Sequence, residues 1–121
     1  MRMMGISMST TDYITLIDDD CWIEPNWFGT AIETLQKNKV DYCYAQRYIW
    51  ENEQLRLGFD NYESIGDRNQ FGYYLMDMNT VVYRNCLKKF LLSVLLSYNN
   101  YTIDRCLAEG LLKMCKGTKI Q

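Results

Sequence analysis

A short apolar segment that ends in three consecutive carboxylates constrains this chain more than any other feature. Ile14, Leu16 and Ile17 have the bulky aliphatic side chains of a buried β-strand, and Asp18-Asp19-Asp20 follows them directly. Adjacent ionised carboxylates repel one another, and burying them without partners is costly. The pattern therefore indicates a cation at the end of this strand, and Mg²⁺ or Mn²⁺ suits carboxylate oxygens. The alternative is an ordinary acidic turn in solvent.

The segment after the acidic triplet predicts an ordered corner. Cys21-Trp22-Ile23 is apolar again, and Pro25 is suited to the first turn of a helix. We predict this helix over residues 25–37, with its apolar side chains on one face. They are Trp27, Phe28, Ala31, Ile32 and Leu35. A strand, an acidic corner and a helix together frame a site at the carboxyl end of the strand.

Composition excludes several classes of function. The 121 residues suffice for one small domain, and 48% hydrophobic with 23% charged residues indicates a globular chain. The net charge of −2 gives no electrostatic support for nucleic-acid binding. The sequence contains no histidine, which rules out Ser-His-Asp and Cys-His nucleophilic sites and the usual histidine-containing zinc sites.

Cysteine usage and hydropathy predict a cytoplasmic protein. The five cysteines are odd in number and form no Cys-x-x-Cys pair, which is typical of reduced thiols in a core. No secretory leader is evident, and the apolar stretch at 90–96 is too short to span a bilayer. A set of lysines indicates either peripheral contact with the inner membrane surface or ordinary solvated charge. They are Lys88, Lys89, Lys113, Lys116 and Lys119.

The middle of the chain predicts a strand and a hairpin. Residues 40–50 alternate in character, with Tyr42, Tyr44, Tyr48 and Trp50 on one face. This aromatic face is either a platform for a sugar ring or ordinary sheet packing. A short partner strand at 54–59 would complete a hairpin, and a long polar loop, of the kind that often carries function, follows at 58–72.

The remaining residues predict a further strand and two helices. Residues 73–83 are strand-like, but Asp77 and Asn79 interrupt the apolar pattern and need polar partners, either in a site or in solvent. Helices are predicted at 84–97 and at 102–116 from their apolar periodicity. The second of these ends at a glycine, and the last four residues are predicted to be a tail.

Several of these motifs resemble family 2 glycosyltransferases. Arg2, Gly5 and the strand that ends in Asp18-Asp19-Asp20 resemble the middle of that family's catalytic domain, where the triplet matches its DxD motif. Residues 77–84 resemble the strand that precedes the family's last helices. Ile103-Asp104-Arg105 resembles the family's acidic "ED" motif, with isoleucine in place of the glutamate.

The resemblance implies a GT-A-like α/β fold, in which a mixed sheet with flanking helices binds a nucleotide-diphosphate sugar. It implies an enzyme that transfers the sugar, with inversion, to an acceptor hydroxyl on a glycan or a lipid-linked molecule. Asp18, Asp19 and Arg2 would bind the nucleotide sugar. Asp18 and Asp20 would ligate Mn²⁺ or Mg²⁺, which neutralises the leaving diphosphate.

The resemblance also implies two candidates for the general base that takes the proton from the acceptor hydroxyl. Asp104, in the "ED"-like motif, is the first, and Asp77 is the fallback. The isoleucine at position 103 departs from the family pattern beside the first candidate. A carboxylate acts as the base only within hydrogen-bond reach of the hydroxyl, so geometry decides between them.

The position of the acidic triplet predicts a partial domain. The family places nucleotide-binding βαβ units before the DxD strand, whereas about a dozen residues precede it here. Residues 1–121 are therefore predicted to be the C-terminal part of a family 2 catalytic domain that lacks those units. The chain would be an active transferase, or the acceptor-side half of one.

Two alternatives come from other functional classes. A truncated remnant that acts as a non-catalytic interaction or structural module would explain the short segment before the triplet, and self-association is a related hypothesis. A phosphatase-like aspartate nucleophile resembles the haloacid dehalogenase pattern, D-x-D-x-Thr or Val. Trp22 occupies the last position of that pattern here, which disfavours this class.

Overall fold

The computed structural model describes residues 2–51, 53–57, 76–97 and 103–120, without the side chains of 49, 51, 55–57 and 103–105. The helices are α1 Arg2–Met8, α2 Trp27–Asn38, α3 Lys88–Ser97 and α4 Ile103–Met114. The strands are β1 Tyr13–Thr15, β2 Tyr42–Ala45, β3 Tyr48–Glu51, β4 Gln54–Leu57, β5 Val81–Arg84 and β6 Gly117–Ile120. Short 3₁₀ turns occupy Met78–Thr80 and Asn85–Leu87. The predicted polar loop at 58–72 lies outside the described residues.

The main sheet has the strand order β1-β5-β2-β6. The central strand β5 is antiparallel to β1 and β2, with Ile14 opposite Tyr83 and Cys43 opposite Val82. Strand β6 runs parallel to β2. The carboxyl ends of β1 and β2 and the amino end of β5 therefore lie at one end of the sheet, which we call the site end.

Successive residues of the strands point to opposite faces of the sheet, and helices cover both faces. On one face Cys43 and Val82 pack against Ala31 and Leu35 of α2. On the other face the core extends from Tyr42, Val81 and Tyr83 to residues of α1, α3 and α4. They include Ile6, Leu91, Val94, Leu107 and Leu111. This confirms the predicted mixed α/β sheet with flanking helices, which is GT-A-like.

The segment 40–50, predicted as one strand, is divided between two sheets. Its first half is β2 in the main sheet, and its second half is β3, which pairs with β4 in a separate hairpin. Arg47 lies at the break, where its Nη1 donates to Asp77 Oδ2 at 2.6 Å. The single-strand prediction was wrong because period-two alternation continues through both halves. The predicted hairpin with a partner strand beginning at Gln54 is confirmed.

The strand predicted at 73–83 begins only at Val81. The carboxylate of Asp77 accepts a hydrogen bond from the backbone N–H of Asn79 at 2.9 Å and so caps the 3₁₀ turn before the strand. The three predicted helices are present, with α2 beginning at Trp27 and α3 at Lys88. No helix within the described ranges has the length and apolar character that a membrane span requires.

The cysteines are unpaired by disulfides, as predicted, but only some of them are core residues. Cys43 is buried, and this burial raises the pKa of its thiol to about 12. Cys21 and Cys86 are exposed, so the prediction of core positions was wrong for these two. Each lies outside the regular strands and α-helices, and a polar residue, Asp20 or Asn85, precedes it.

The last residues form a strand, so the prediction of a tail was wrong. Gly117 pairs with Tyr42, and Ile120 pairs with Ala45. Asp41 holds the start of β6 beside β2 through two hydrogen bonds to Lys116. Its backbone N–H donates to the carbonyl oxygen of Lys116 at 2.7 Å, and its Oδ2 accepts from the backbone N–H of Lys116 at 3.0 Å. The ring of the buried Tyr42 occupies the space that a Cβ at position 117 would fill. Glycine thus permits the strand to close on β2.

We expect Gly117→Ala to lower the free energy of unfolding by about 1–3 kcal/mol, because the new methyl group meets a ring that core packing holds in place. Gly29→Ala is the matched control, since an ideal Cβ at Gly29 in α2 meets no atom within 4 Å. That control should instead gain about 0.5–1 kcal/mol of helix stability. Urea unfolding of both variants tests this, and equal effects would contradict the packing of β6.

Candidate functional site

Polar segments from three strands converge at the site end. The acidic triplet follows β1, Gln46-Arg47 follows β2, and residues 77–80 precede β5. They border a cleft of about 500 Å³ whose lining includes Asp18, Asp20 and Asn79. The strand order explains the convergence, because β1 and β2 flank β5 and run in the opposite direction.

Asp77 is a buried carboxylate with partners on both oxygens. Its Oδ2 accepts a hydrogen bond from Arg47 Nη1 at 2.6 Å, and the two side chains form an ion pair. Its Oδ1 accepts from the backbone N–H and from Nδ2 of Asn79, each at 2.9 Å. A buried charge requires such pairing, because removing one partner leaves the other uncompensated. Asp77 therefore holds the turn before β5 in place.

Asn79 links Asp77 to the acidic triplet. Its Oδ1 accepts from the backbone N–H of Asp18 at 2.7 Å, and its Nδ2 donates to Asp18 Oδ2 at 3.2 Å. The same Nδ2 donates to Asp77, so both ends of the amide are engaged. The polar interruption of the predicted strand thus lines a site and does not simply face solvent.

Asp18 is held ionised by two neighbours. The hydrogen bond from Asn79, followed by the hydrogen bond and the charge of Arg2, lowers the pKa of the Asp18 carboxyl below its ordinary value of 3.8. Partial burial acts in the opposite direction. Arg2 Nη2 pairs with Asp18 Oδ1. The structure thus brings together two of the residues that the sequence assigned to nucleotide-sugar binding, and that role stays a prediction.

The other two aspartates of the triplet are exposed. Asp20 lines the cleft, and its Oδ1 lies 3.6 Å from Cys21 Sγ. Partial burial, then the Asp20 charge, raises the pKa of the Cys21 thiol, which stays protonated at neutral pH. Asp19 is not among the residues that line the cleft. Its predicted contact with the nucleotide stays a prediction.

A metal ligand set is only partly assembled among the described residues. They contain no group of three or more carboxylates and thiols placed to hold a metal ion. Asp18 and Asp20 nevertheless line the same cleft with hard oxygen donors. Mg²⁺ commonly takes one or two carboxylates and completes its shell with water and substrate phosphates. The donor chemistry therefore fits an ion that binds together with a diphosphate.

The two candidate general bases differ in how much the structure describes. Asp104 lies in the first turn of α4, and its side chain lies outside the described part of the structure. Asp77 lines the cleft, where its oxygens accept hydrogen bonds from Arg47 and Asn79. Both catalytic assignments stay predictions.

Sequence reasoning missed Arg47, which is central to the site. It lies on the strand-like segment 40–50, and its partner Asp77 is 30 residues further along the chain. The local signal for it was weak, because a single arginine in an alternating strand normally points into solvent. The polar residues at 77 and 79 were the usable signal, since they required partners from elsewhere.

We expect Asn79→Ala to move the titration midpoint of Asp18 upward, towards 3.8, because the largest cause of its lowered pKa is removed. Arg2→Ala should produce a smaller upward movement. NMR titration of the Asp18 carboxyl measures both, with the amide spectrum confirming that each variant is folded. An unchanged midpoint in Asn79→Ala would contradict this network.

The same shift has a consequence for stability. Because the folded-state pKa of Asp18 is lowered, its ionised form stabilises the fold above pH 3.8, and this contribution is lost as the pH falls through the folded-state value. The Asn79→Ala variant should therefore show a weaker dependence of unfolding on pH over that acidic range.

Comparison with known proteins supports the resemblance seen in the sequence. The family model described as glycosyl transferase family 2 matches residues 1–86. Those residues contain the acidic triplet, Arg47, Asp77 and Asn79. Comparisons with curated proteins and with solved structures found no match. The prediction that the chain is the C-terminal part of the domain stays a prediction, and α4 lies beyond the matched residues. Because the match covers 86 of the 121 residues, the chain belongs to glycosyl transferase family 2.

Proposed function

We propose that this chain binds a nucleotide-diphosphate sugar in the cleft at the site end and transfers the sugar, with inversion, to an acceptor hydroxyl. Family membership supports glycosyltransferase activity in general, with a nucleotide-sugar donor and an acceptor. The observation that carries the finer proposal is the placement of Asp18 and Asp20 in one cleft, where Asn79 holds Asp18 against the amino end of β5.

We propose that the reaction depends on Mn²⁺ or Mg²⁺ held by Asp18 and Asp20. Such an ion, when bound, offsets the negative charge that develops on the leaving diphosphate. The chain contributes an Asp18 that is ionised at neutral pH and oriented by a hydrogen bond to Asn79. Arg2 pairs with Asp18 and does not itself line the cleft, and we propose that its guanidinium contacts the donor from beside Asp18.

The Asp77–Arg47 ion pair has a supporting role in this proposal. Three hydrogen bonds already occupy most of the lone pairs of the Asp77 carboxylate. Asp104 is therefore the better candidate for the general base, and Asp77 remains the fallback. In a transfer assay, Asp104→Asn should lower kcat about 10²–10⁴-fold while donor binding is retained. Full activity in that variant would exclude Asp104.

The wider predictions come from the resemblance, the cysteine usage, the lysines and the short segment before the triplet, and the described structure does not test them. A glycan or lipid-linked acceptor, peripheral membrane contact, self-association and a cytoplasmic location all stay predictions. The alternative of a non-catalytic remnant also stays open, and it differs from the proposal in one measurable respect. A remnant without a working donor site would show no metal-dependent response to any nucleotide sugar.

We expect one class among UDP-, GDP-, CDP- and dTDP-sugars to raise the melting temperature, and only when Mn²⁺ is present. A ligand at about 100 times its Kd adds roughly 2.7 kcal/mol to the free energy of unfolding, so weak sites are detectable. Asp20→Asn should abolish the shift because it removes a metal-binding carboxylate.

Asp12→Asn is the matched control for this experiment. Asp12 is an exposed aspartate that precedes β1, so it lies at the opposite end of the sheet from the cleft. The control should retain the full shift. A shift that persists in Asp20→Asn would exclude the metal assignment, and the absence of any shift would favour the non-catalytic alternative.

A further inference from the structure

Part of the lining of the cleft is aromatic, and we call this part the aromatic wall. Trp22, Tyr48 and Trp50 all line it, and they are 60%, 52% and 64% exposed. Large aromatic residues that are exposed singly are ordinary, but three that line one cleft form an apolar surface at a site. By contrast, Tyr42 and Tyr83 of the main sheet are buried in the core.

Two separate segments build this wall. Tyr48 and Trp50 are two residues apart on β3, so their rings project from the same face, roughly 6.6 Å apart along the strand. Trp22 comes from the corner that follows the acidic triplet. The hairpin β3–β4 lies in its own sheet, and the wall therefore stands beside the polar end of the main sheet.

The charges around the cleft restrict what such a wall would bind. Among the described lining residues, Asp18, Asp20, Glu24 and Asp77 are acidic and Arg47 is basic. Arg47 is already paired with Asp77. Where no metal ion offsets it, this excess of carboxylates disfavours an anionic ligand on the wall and favours a neutral one that carries hydroxyl donors.

We propose that Trp22, Tyr48 and Trp50 form a stacking site for a neutral pyranose ring of a glycan acceptor. One face of a pyranose presents aliphatic C–H groups, which suit the negative face of an aromatic ring. Its hydroxyls lie around the edge, within the part of the cleft that carries Asp20 and Glu24. This inference rests on the proposed function, since it gives the acceptor of that reaction a chemical class.

Stacking of a sugar ring on the wall requires neither the nucleotide sugar nor the metal ion. It can therefore be tested separately from the sugar-transfer reaction. The probes are cellobiose, maltose and chitobiose, each added without nucleotide or Mn²⁺. Saturation-transfer NMR identifies the ring protons that contact the protein and provides a titration for each sugar. We expect at least one of these disaccharides to bind. The saturation-transfer signal should be strongest at its axial C–H protons.

Trp50→Ala and Trp22→Ala should each weaken that binding about tenfold, which corresponds to the loss of one aromatic contact. Trp50→Tyr should restore most of the binding, which separates stacking from any effect of the alanine on the hairpin. Phe28→Ala is the matched control, because Phe28 is an exposed aromatic residue that lines a different surface pocket. The control should bind as the wild type does.

Two results would overturn the proposal. The first is the absence of binding by all three disaccharides, and the second is disaccharide binding that both tryptophan variants retain. If those two variants also lose nucleoside diphosphate binding, the wall would be assigned to the base of the donor. None of these results depends on whether the chain catalyses transfer.

Discussion

The ion pair between Arg47 and Asp77 is the interaction on which the site depends. It joins the segment after β2 to the turn before β5, across 30 positions of the chain. With Arg47 on one oxygen, Asp77 uses the other to hold Asn79, which in turn holds the backbone and side chain of Asp18. Three strand ends are thereby fixed relative to one another around a cleft.

The chain leaves the main sheet after β2, at the position of the same ion pair. Arg47 is turned towards Asp77 at the site end, and the residues that follow pair with β4 instead of continuing beside β5. The separate hairpin carries Tyr48 and Trp50 to the cleft. The same cleft is therefore lined by carboxylates from the ends of the main sheet and by aromatic side chains from the hairpin.

Local patterns predicted most of the elements but not their tertiary partners. The strand before the acidic triplet, the periodicity of α2 and the hairpin of β3 and β4 were predictable because neighbouring residues specify them. The buried strand was predicted to extend too far, since β1 ends at Thr15 and Ile17 is exposed. The division of segment 40–50 between two sheets was not predictable, because polar and apolar residues alternate in the same way whether the segment lies in one sheet or in two. Strand β6 was also missed, because it pairs with β2, some 75 positions earlier in the sequence. The close contact between Gly117 and the ring of Tyr42 that permits this pairing exists only in the folded chain.

The residues of the candidate site likewise include some that the sequence predicted and some that it did not. Asp18 and Asp20 were identified from the triplet, and Asp77 and Asn79 were identified as polar residues in need of partners. Arg47 gave no local signal, because its importance arises from a partner that only the folded chain brings near. Asp104 was identified by resemblance alone, and its role stays a prediction.

The most direct test of the account is to locate a bound Mn²⁺ ion on the ¹⁵N-labelled chain by paramagnetic broadening, in the presence of each nucleoside diphosphate. We predict that one diphosphate brings the ion to the cleft, so that the amide signals of residues 18–21 and of Asn79 broaden first. Broadening centred elsewhere, such as on Asp12 and the residues around it, would contradict the assignment of the cleft as the donor site. So would equal broadening at every exposed carboxylate.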